Sequence, residues 1–219
     1  MMGTLLSSVL AYKLSPDWWS LDSIEQEKII HEITHVLSSV KESGALKSEY
    51  YKSLRPDSSI LLWLLAEPSE LHTSTRARIE KAFGRHADLK HGFFSTYEHK
   101  QMKDPKNKPY FVAYPITKST EWYLLDEKTR KEILSEHIGR ATSDPNNNGI
   151  NSYTTSSFGI DDNEFVVIYE LPSLLSWVSV TQNLRSAKAR KWIIKESPIL
   201  VGEKGDLGSL TYSNSEVKT

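Results

Sequence analysis

The sequence predicts an α+β protein in which two tandem ferredoxin-like units form a barrel of the dimeric α+β type. The segment WWSLD at residues 18–22 recurs as WYLLD at residues 122–126, an offset of 104 residues (122 − 18). The run LLW at 61–63, followed by Pro-Ser at 68–69, recurs as VVI at 166–168 followed by Pro-Ser at 172–173, and the prolines are again 104 residues apart (172 − 68). Strand-like and helix-like patterns follow in the same order in both copies, which indicates a duplicated β–α–β–β–α–β unit.

The first copy contains each expected element in turn. Ile30, Ile33, Leu37 and Val40 recur at helical spacing, and the apolar run SILLWLLA has the length of a buried strand. Pro68-Ser69 opens a second helix that we expect to end near Gly84. The predicted elements are strands at residues 6–14, around 50–51, at 59–66 and at 91–97, and helices at 23–40 and 68–84.

The second copy repeats this order. Aromatic and β-branched residues predict a strand over residues 110–114, and we expect Pro115 to end it. Asp126 is a candidate N-cap for a helix with an apolar face of Ile133, Leu134, Ile138 and Ala141, on which His137 also lies. The remaining predicted elements are strands at 152–158 and 164–170 and a helix at 174–190.

Two ferredoxin-like sheets cover their open edges and faces by joining into a barrel. We therefore divide the chain into an N-terminal half at residues 1–104, a C-terminal half at 105–202 and a polar, frayed tail at 203–219.

Composition narrows the range of functions. The chain has 219 residues, with 27 Lys and Arg against 28 Asp and Glu, so its charge gives no support for nucleic-acid binding. It has no cysteine, which excludes disulfides, thiolate catalysis and cysteine-bound metals. No signal peptide or membrane span is expected, because no basic residue precedes the first apolar run and no apolar run approaches about 20 residues. A soluble, cytoplasmic protein is predicted.

The duplication offers an internal control for His137. A histidine on an apolar helix face is usually a core residue, but the first copy has Ile33 at the matching position. Tyr114 likewise corresponds to Leu10, and Arg185 corresponds to Lys81. Because the first copy packs the same face with an isoleucine, the fold alone is a weaker explanation for His137, whereas Tyr114 taken by itself is a typical strand aromatic.

The second half resembles the chlorite dismutase superfamily, most closely its coproheme decarboxylase branch. The resemblance spans about 90 residues and depends on an ordered set of motifs: Tyr114-Pro115-x-x-Lys118, Glu121-Trp122-Tyr123-x-Leu125, Glu136-His137, Ser157-Phe158-Gly159-x-Asp161-Asp162-x-Glu164-Phe165 and Leu184-Arg185. The family fold, two tandem ferredoxin-like units, agrees with the duplication.

The resemblance implies an iron porphyrin, haem b or iron-coproporphyrin III, with His137 as the proximal iron ligand. It implies that Tyr114 carries a radical during peroxide-dependent decarboxylation of the propionates, and that Lys118 and Arg185 bind these carboxylates. Trp122 and Ser152 are further expected pocket residues. The implied partners are porphyrin and hydrogen peroxide, and the implied assembly is a homo-oligomer, a pentamer in relatives.

Three departures weigh against chlorite or strong peroxidase chemistry. Ser152 stands where chlorite dismutases carry a distal arginine. The loop at residues 98–108 is shortened, and His99 is its one nearby candidate for a distal histidine. Lys188 replaces an acid that would support the proximal histidine. A haem-binding peroxidase or chlorite dismutase-like protein without decarboxylase activity is the alternative to a decarboxylase within this superfamily.

Two further alternatives come from other classes. His31-Glu32-Ile33-Thr34-His35 matches the zinc-binding H-E-x-x-H motif, although no third ligand is evident downstream. A zinc hydrolase is disfavoured for that reason. A non-catalytic barrel that assembles without binding porphyrin is the second alternative.

Overall fold

The computed structural model describes residues 4–98 and 108–211. The charged loop predicted at residues 98–108, with His99 and the proposed boundary at 104/105, lies almost entirely outside the described residues. Each half has four main antiparallel strands. The first half comprises β1 (Thr4–Leu14), α1 (Ser23–Glu42), β2 (Lys47–Ser53), β3 (Ile60–Ala66), α2 (Ser69–Phe83) and β4 (Ala87–Glu98). The second comprises β5 (Tyr110–Lys118), α3 (Thr120–Leu124), α4 (Glu127–Ser143), β6 (Asn151–Ser156), β7 (Phe165–Leu171), α5 (Leu174–Leu184), β8 (Ile193–Lys195) and β9 (Leu200–Glu203).

The two sheets close into one barrel. The first sheet has the strand order β4-β1-β3-β2, and the second has the matching order β9-β5-β7-β6, with β8 beside the end of β5. Two short contacts join them, because β4 pairs with β6 at Thr96–Ser156 and β2 pairs with β9 at Ser53–Gly202. Gly202 permits the second contact, since a Cβ atom there would lie 2.7 Å from the Cβ of Tyr51. The predicted fold class is confirmed.

The barrel interior is an apolar core with one buried ion pair. Val9, Trp63, Phe111 and Ile168 are among the side chains that fill it. Alternation along each strand sends successive side chains to the inside and outside of the barrel. Lys47 of β2 and Glu170 of β7 meet across the interior at 2.7 Å, and both side chains are almost completely buried. Tyr153 and Asn151 also donate hydrogen bonds to the Glu170 carboxylate.

In the first half the helices pack tightly on the outer face of the sheet. Ile33 and Val36 of α1, Ile79 and Phe83 of α2 and Leu62 of β3 belong to one buried cluster. In the second half, the cluster outside the sheet contains only Trp122, Ile133 and Ala189 as buried members. The two halves therefore share a topology but differ in what lies between helices and sheet.

Helix α4 begins as predicted but buries less than predicted. The Asp126 side chain accepts a hydrogen bond from the backbone N–H of Thr129, which confirms the N-cap. Of the predicted apolar face only Ile133 is buried, while Leu134 and Ile138 are exposed. The expected continuous stripe is therefore wrong, because α4 lacks the apolar contact with the sheet that α1 makes.

Strand β4 begins at Ala87 instead of residue 91, and two boundaries in the second half also differ from prediction. Pro115 does not end β5, which continues to Lys118. Strand β9 pairs with β5 up to Ala113 and β8 pairs from Thr117, so Pro115 falls in the gap between these neighbours and costs no hydrogen bond on that side. Helix α5 ends at Leu184 instead of 190.

The described part of the predicted tail is packed instead of frayed. Residue 203 belongs to β9, and Leu207 is fully buried among the residues beneath α1. The indole N–H of Trp18 donates to the carbonyl of Leu210. Residues 203–211 therefore complete the first half from the far end of the chain. No helix among the described residues is long and apolar enough to span a membrane.

Candidate functional site

The candidate site lies on the outer face of the second-half sheet, on the side where α4 and α5 run. The strand register places three rows of side chains on this face: Ser152, Tyr169 and Val112; Thr154, Val167 and Tyr114; and Ser156, Phe165 and Ile116. Phe111 and Ala113 of β5 point into the barrel core. Because side chains alternate along a strand, Tyr114 points out of the barrel, toward the helices.

His137 reaches this region from α4. Its ring is half-buried, and its Nδ1 atom is buried with no hydrogen-bond partner among the described residues. Burial lowers the pKa of His137, and the nearby cations Lys118 and Arg190 lower it further, while Glu136 acts in the opposite direction. His137 is therefore a neutral imidazole at neutral pH, with a lone pair available for a metal.

Tyr114 belongs to a group of stacked aromatic residues. Its ring lies 6.1 Å from that of Tyr169, and a hydrogen bond joins the two hydroxyl groups. Tyr169 in turn stacks against Trp177 of α5, with ring centroids 4.2 Å apart, and is hydrogen-bonded to Ser152. Burial and the bond to Tyr169 raise the pKa of Tyr114 well above its usual value, so the phenol keeps its proton.

Lys118 lies at the end of β5 above Trp122. Its Nζ atom is 3.5 Å from the centroid of the Trp122 ring, a close cation–π contact. Burial lowers the pKa of Lys118 to about 8, with a further contribution from Arg130, while Glu164 opposes the shift. Trp122 itself is buried beside Trp192, so it forms the floor under the lysine.

The predicted carboxylate ligand Arg185 lies at the rim of the site. Its side chain is 58% exposed and forms an ion pair with Glu196 at 3.3 Å. Arg190 pairs with the same carboxylate, is only 26% exposed, and lies near enough to Tyr114 and His137 to affect the pKa of both. The sequence reasoning missed Arg190 and Glu196 because no motif contains them.

Tyr169 and Trp177 were also missed. Strict alternation along residues 165–170 puts Tyr169 on the same face as Phe165 and Val167, a signal that could have identified it. Trp177 carries no comparable signal, because only the packing of α5 on the sheet brings it to Tyr169.

The carboxylate next to His137 in sequence does not support the ring. Glu136 accepts a hydrogen bond from the backbone N–H of Lys188 at 3.1 Å and forms an ion pair with Arg140. Glu136 makes no hydrogen bond to the Nδ1 atom of His137. This arrangement agrees with the expectation that Lys188 removes the usual acid from behind the histidine.

In the H-E-x-x-H segment of α1, His31, Glu32 and His35 are exposed, while Ile33 is buried against the sheet. The rings of His31 and His35 are nearly parallel with centroids 6.4 Å apart. No group of three or more His, Asp or Glu side chains within residues 4–98 and 108–211 is arranged to hold a metal ion. Within that part of the chain the motif therefore has no third ligand.

The fold and the site together define a duplicated α+β barrel in which one half carries a histidine, a tyrosine and basic residues outside its sheet. The family model for chlorite dismutase matches residues 26–205, and the chain belongs to the chlorite dismutase family. It is 26% identical over 197 residues to a coproheme decarboxylase of Mycolicibacterium smegmatis, with 82% of each chain covered.

Solved structures agree with this assignment. A crystal structure provisionally assigned as a chlorite dismutase is 38% identical, with a TM-score of 0.84 over 95% of this chain and 98% of that one. A haem-binding protein from Thermus thermophilus shares the fold at 17% identity, with a TM-score of 0.79 over 91% and 92% of the two chains.

Proposed function

We propose that the second half binds an iron porphyrin through His137 and that the protein decarboxylates iron-coproporphyrin III to haem b with hydrogen peroxide. One observation carries the proposal. The half-buried imidazole of His137 and the half-buried phenol of Tyr114 share Arg190 as a nearby cation, and Lys118 is also close to the imidazole. On the matching face, the first half has a closed apolar cluster instead. The similarity to a protein named coproheme decarboxylase supports the same choice of reaction.

The residues present fit an iron porphyrin. Neutral imidazole is a common axial ligand of haem iron, and His137 is neutral because of burial and its neighbouring cations. Lys118 and Arg190 supply the positive charge that propionate carboxylates require. Tyr169 and Trp177 add aromatic surface, and Ile133 is the buried residue that α4 contributes to the cluster outside the sheet.

The overall reaction balances for each propionate. The propionate carboxylate loses CO2, one proton and two electrons and becomes a vinyl group, and hydrogen peroxide takes up that proton, one further proton from solvent and the two electrons to give two water molecules. When bound, the iron supplies the capacity to react with peroxide and accept electrons from the protein. Two such conversions give haem b from iron-coproporphyrin III.

Tyr114 is the residue proposed to oxidise the propionate. Its phenol, shielded by its neighbours, has no tendency to ionise at neutral pH, so it gives up a proton and an electron together. Tyr169 is its hydrogen-bond partner and orients the hydroxyl, but it keeps its own proton, so the proton of Tyr114 is among those taken up when peroxide is reduced to water. The oxidised Tyr114 then removes a hydrogen atom from the propionate, and loss of a second electron releases CO2. Lys118 holds the carboxylate while this happens.

A second candidate is a haem-binding protein with little turnover. The unpaired Nδ1 of His137 favours it, because a carboxylate partner there would make the imidazole a stronger donor and promote peroxide chemistry. Ser152, in place of a distal arginine, points the same way.

Titration of the purified apoprotein with iron-coproporphyrin III and with haem b, followed by peroxide and mass spectrometry, separates these candidates. We expect a shifted Soret band with coproporphyrin and stepwise loss of two CO2 after peroxide. Binding of haem b without conversion of coproporphyrin would support the second candidate. Binding of neither would overturn the porphyrin proposal and favour a non-catalytic barrel.

Two variants test the assigned roles. Tyr114→Phe is expected to bind iron-coproporphyrin normally and to fail to convert it, whereas Tyr97→Phe, which changes a tyrosine on β4 of the first half, should convert it normally. His137→Ala should weaken binding and change the spectrum of the bound iron. Conversion by Tyr114→Phe at the native rate would contradict the role of the phenol.

A homo-oligomer, a pentamer by family resemblance, is also expected, and its mass in solution can be measured directly.

A further inference from the structure

The carboxylate of Glu196 is held by two arginines at the edge of the candidate site. Arg190 contacts one of its oxygens, and Nη1 of Arg185 lies 3.3 Å from the other. The Glu196 side chain is 21% exposed and that of Arg190 is 26% exposed, so this pair is partly shielded from water. Arg185 is the exposed member of the cluster.

The backbone fixes this cluster next to the residues proposed to act. Arg190 belongs to a short 3-10 helix at Lys188–Trp192, and the carbonyl of Trp192 accepts a hydrogen bond from the backbone N–H of Ser119 at the end of β5. Strand β8 follows and pairs with Lys118, and Glu196 comes directly after β8. The charge of Glu196 raises the pKa of both Tyr114 and Tyr169, which supports its closeness to the aromatic group.

An arginine that is partly shielded from water needs a negative partner. Arg190 without Glu196 would keep an uncompensated charge close to Lys118 and His137. A carboxylate on a ligand has the same charge and the same hydrogen-bonding geometry toward a guanidinium as a glutamate. Exchanging one for the other conserves the ion pair, so the cost of displacing Glu196 is mainly that of moving its side chain toward solvent.

Resting on the porphyrin-binding function proposed above, we propose that Arg190 is a carboxylate-binding residue of the site and that Glu196 occupies it until a ligand propionate takes its place. Glu196 is thus an internal competitor for one carboxylate of the ligand. It weakens the binding of every porphyrin that uses Arg190. It has no such effect on a porphyrin whose carboxylates are blocked, because that ligand cannot replace it.

The test compares two ligands on matched variants. Iron-coproporphyrin III and its tetramethyl ester are titrated into the wild type, Glu196→Gln and Arg190→Gln, and dissociation constants are measured from the Soret band. Glu196→Gln is expected to bind the free acid about tenfold more tightly and Arg190→Gln about tenfold more weakly, a difference of about 1.4 kcal/mol for each. Neither change should alter the affinity for the ester.

Controls separate this arrangement from general effects. Glu80→Gln removes an exposed carboxylate that pairs with Arg76 on α2, far from the site, and should leave both ligands unaffected. Arg190→Lys keeps the charge and should recover part of the affinity lost in Arg190→Gln. If Arg190→Gln proves unstable by thermal denaturation, Glu196→Gln and Arg190→Lys carry the test.

The outcomes distinguish this inference from the function on which it rests. If the wild type binds neither porphyrin, the porphyrin-binding function fails, and the inference falls with it. If the wild type binds the free acid but Glu196→Gln leaves its affinity unchanged, or changes acid and ester alike, only the role of Glu196 is overturned.

Discussion

The two sheets have the same strand order, but different kinds of side chain lie between each sheet and its helices. In the first half, Ile33 of α1 is completely buried against the sheet, together with Leu37, Ile79 and Phe83. In the second half His137 holds the position of Ile33, and the helices bury much less apolar surface on the sheet. One copy of the duplicated unit thus serves stability, while the other leaves its helix–sheet space to polar and aromatic groups.

The space left in the first half shows how complete this packing is. A cavity of about 20 Å³, enough for one water molecule, lies between α2 and the sheet beside Leu62 and Ile79. Ser8 and His72 line it and are hydrogen-bonded to each other at 2.7 Å. A porphyrin has no room there, so a binding site at this place requires the looser arrangement of the second half.

The largest expected contrast between the halves comes from truncating the two matched helix residues. Ile33→Ala should destabilise the protein by about 2–5 kcal/mol, because it leaves a cavity in a closed core. His137→Ala should cost less than about 1 kcal/mol, because the ring is half-buried and its Nδ1 atom lacks a partner. Urea unfolding of the apoprotein measures both changes. Equal losses would show that His137 is a packing residue.

A smaller effect is expected from the charge of Lys118. Its pKa is lowered to about 8, so the cation that would bind a propionate is present below that pH and is lost above it. Affinity for iron-coproporphyrin should therefore fall above pH 8, by at most about tenfold per pH unit. Lys118→Met should bind more weakly at pH 7 and lose this pH dependence. A wild-type affinity that stays constant from pH 7 to 9 would exclude Lys118 as a carboxylate ligand.

The smallest expected effects are opposite in sign at two tyrosines, the buried Tyr12 and the half-buried Tyr114. The hydroxyl of Tyr12 in the first half is buried without a hydrogen-bond partner, whereas that of Tyr114 is bonded to Tyr169. Tyr12→Phe should leave the free energy of unfolding unchanged or raise it by up to about 1 kcal/mol, and Tyr114→Phe should lower it by about 1 kcal/mol. Thermal denaturation of the two apoprotein variants checks the signs. A loss of stability in Tyr12→Phe would indicate a hydrogen bond to bound water.

The sequence predicted the fold well because strand and helix periodicity depends on local pattern. The 104-residue offset makes β5 the counterpart of β1 and α4 the counterpart of α1, and the structure has these elements in the same order in both halves. The prediction from sequence was wrong where a segment distant in sequence determines the extent of an element. Pro115 was expected to end its strand, but the gap between β8 and β9 lets β5 continue through it.

The candidate site was predicted in part for the same reason. Tyr114, Lys118 and His137 lie on elements whose faces follow from periodicity, but the family resemblance is what singled them out, and their roles stay predictions. Arg190 and Glu196 lie on either side of the short strand β8, and only the folding of that segment back onto β5 brings them to the site. Leu207 was assigned to a frayed tail, because nothing in residues 203–211 indicates that they pack under α1.

The ion pair inside the barrel has a consequence for how the halves recognise each other. Within the first half Lys47 faces Leu65 across neighbouring strands, and within the second half Asn151 faces Glu170 at the matching place. A self-paired first half would therefore bury two lysines opposite leucines, and a self-paired second half would bury two glutamates opposite asparagines, at a cost of several kcal/mol for each uncompensated charge. Only the mixed pair satisfies both groups. The two copies have thus become obligate heterologous partners, and separated fragments should associate with each other in preference to forming homodimers.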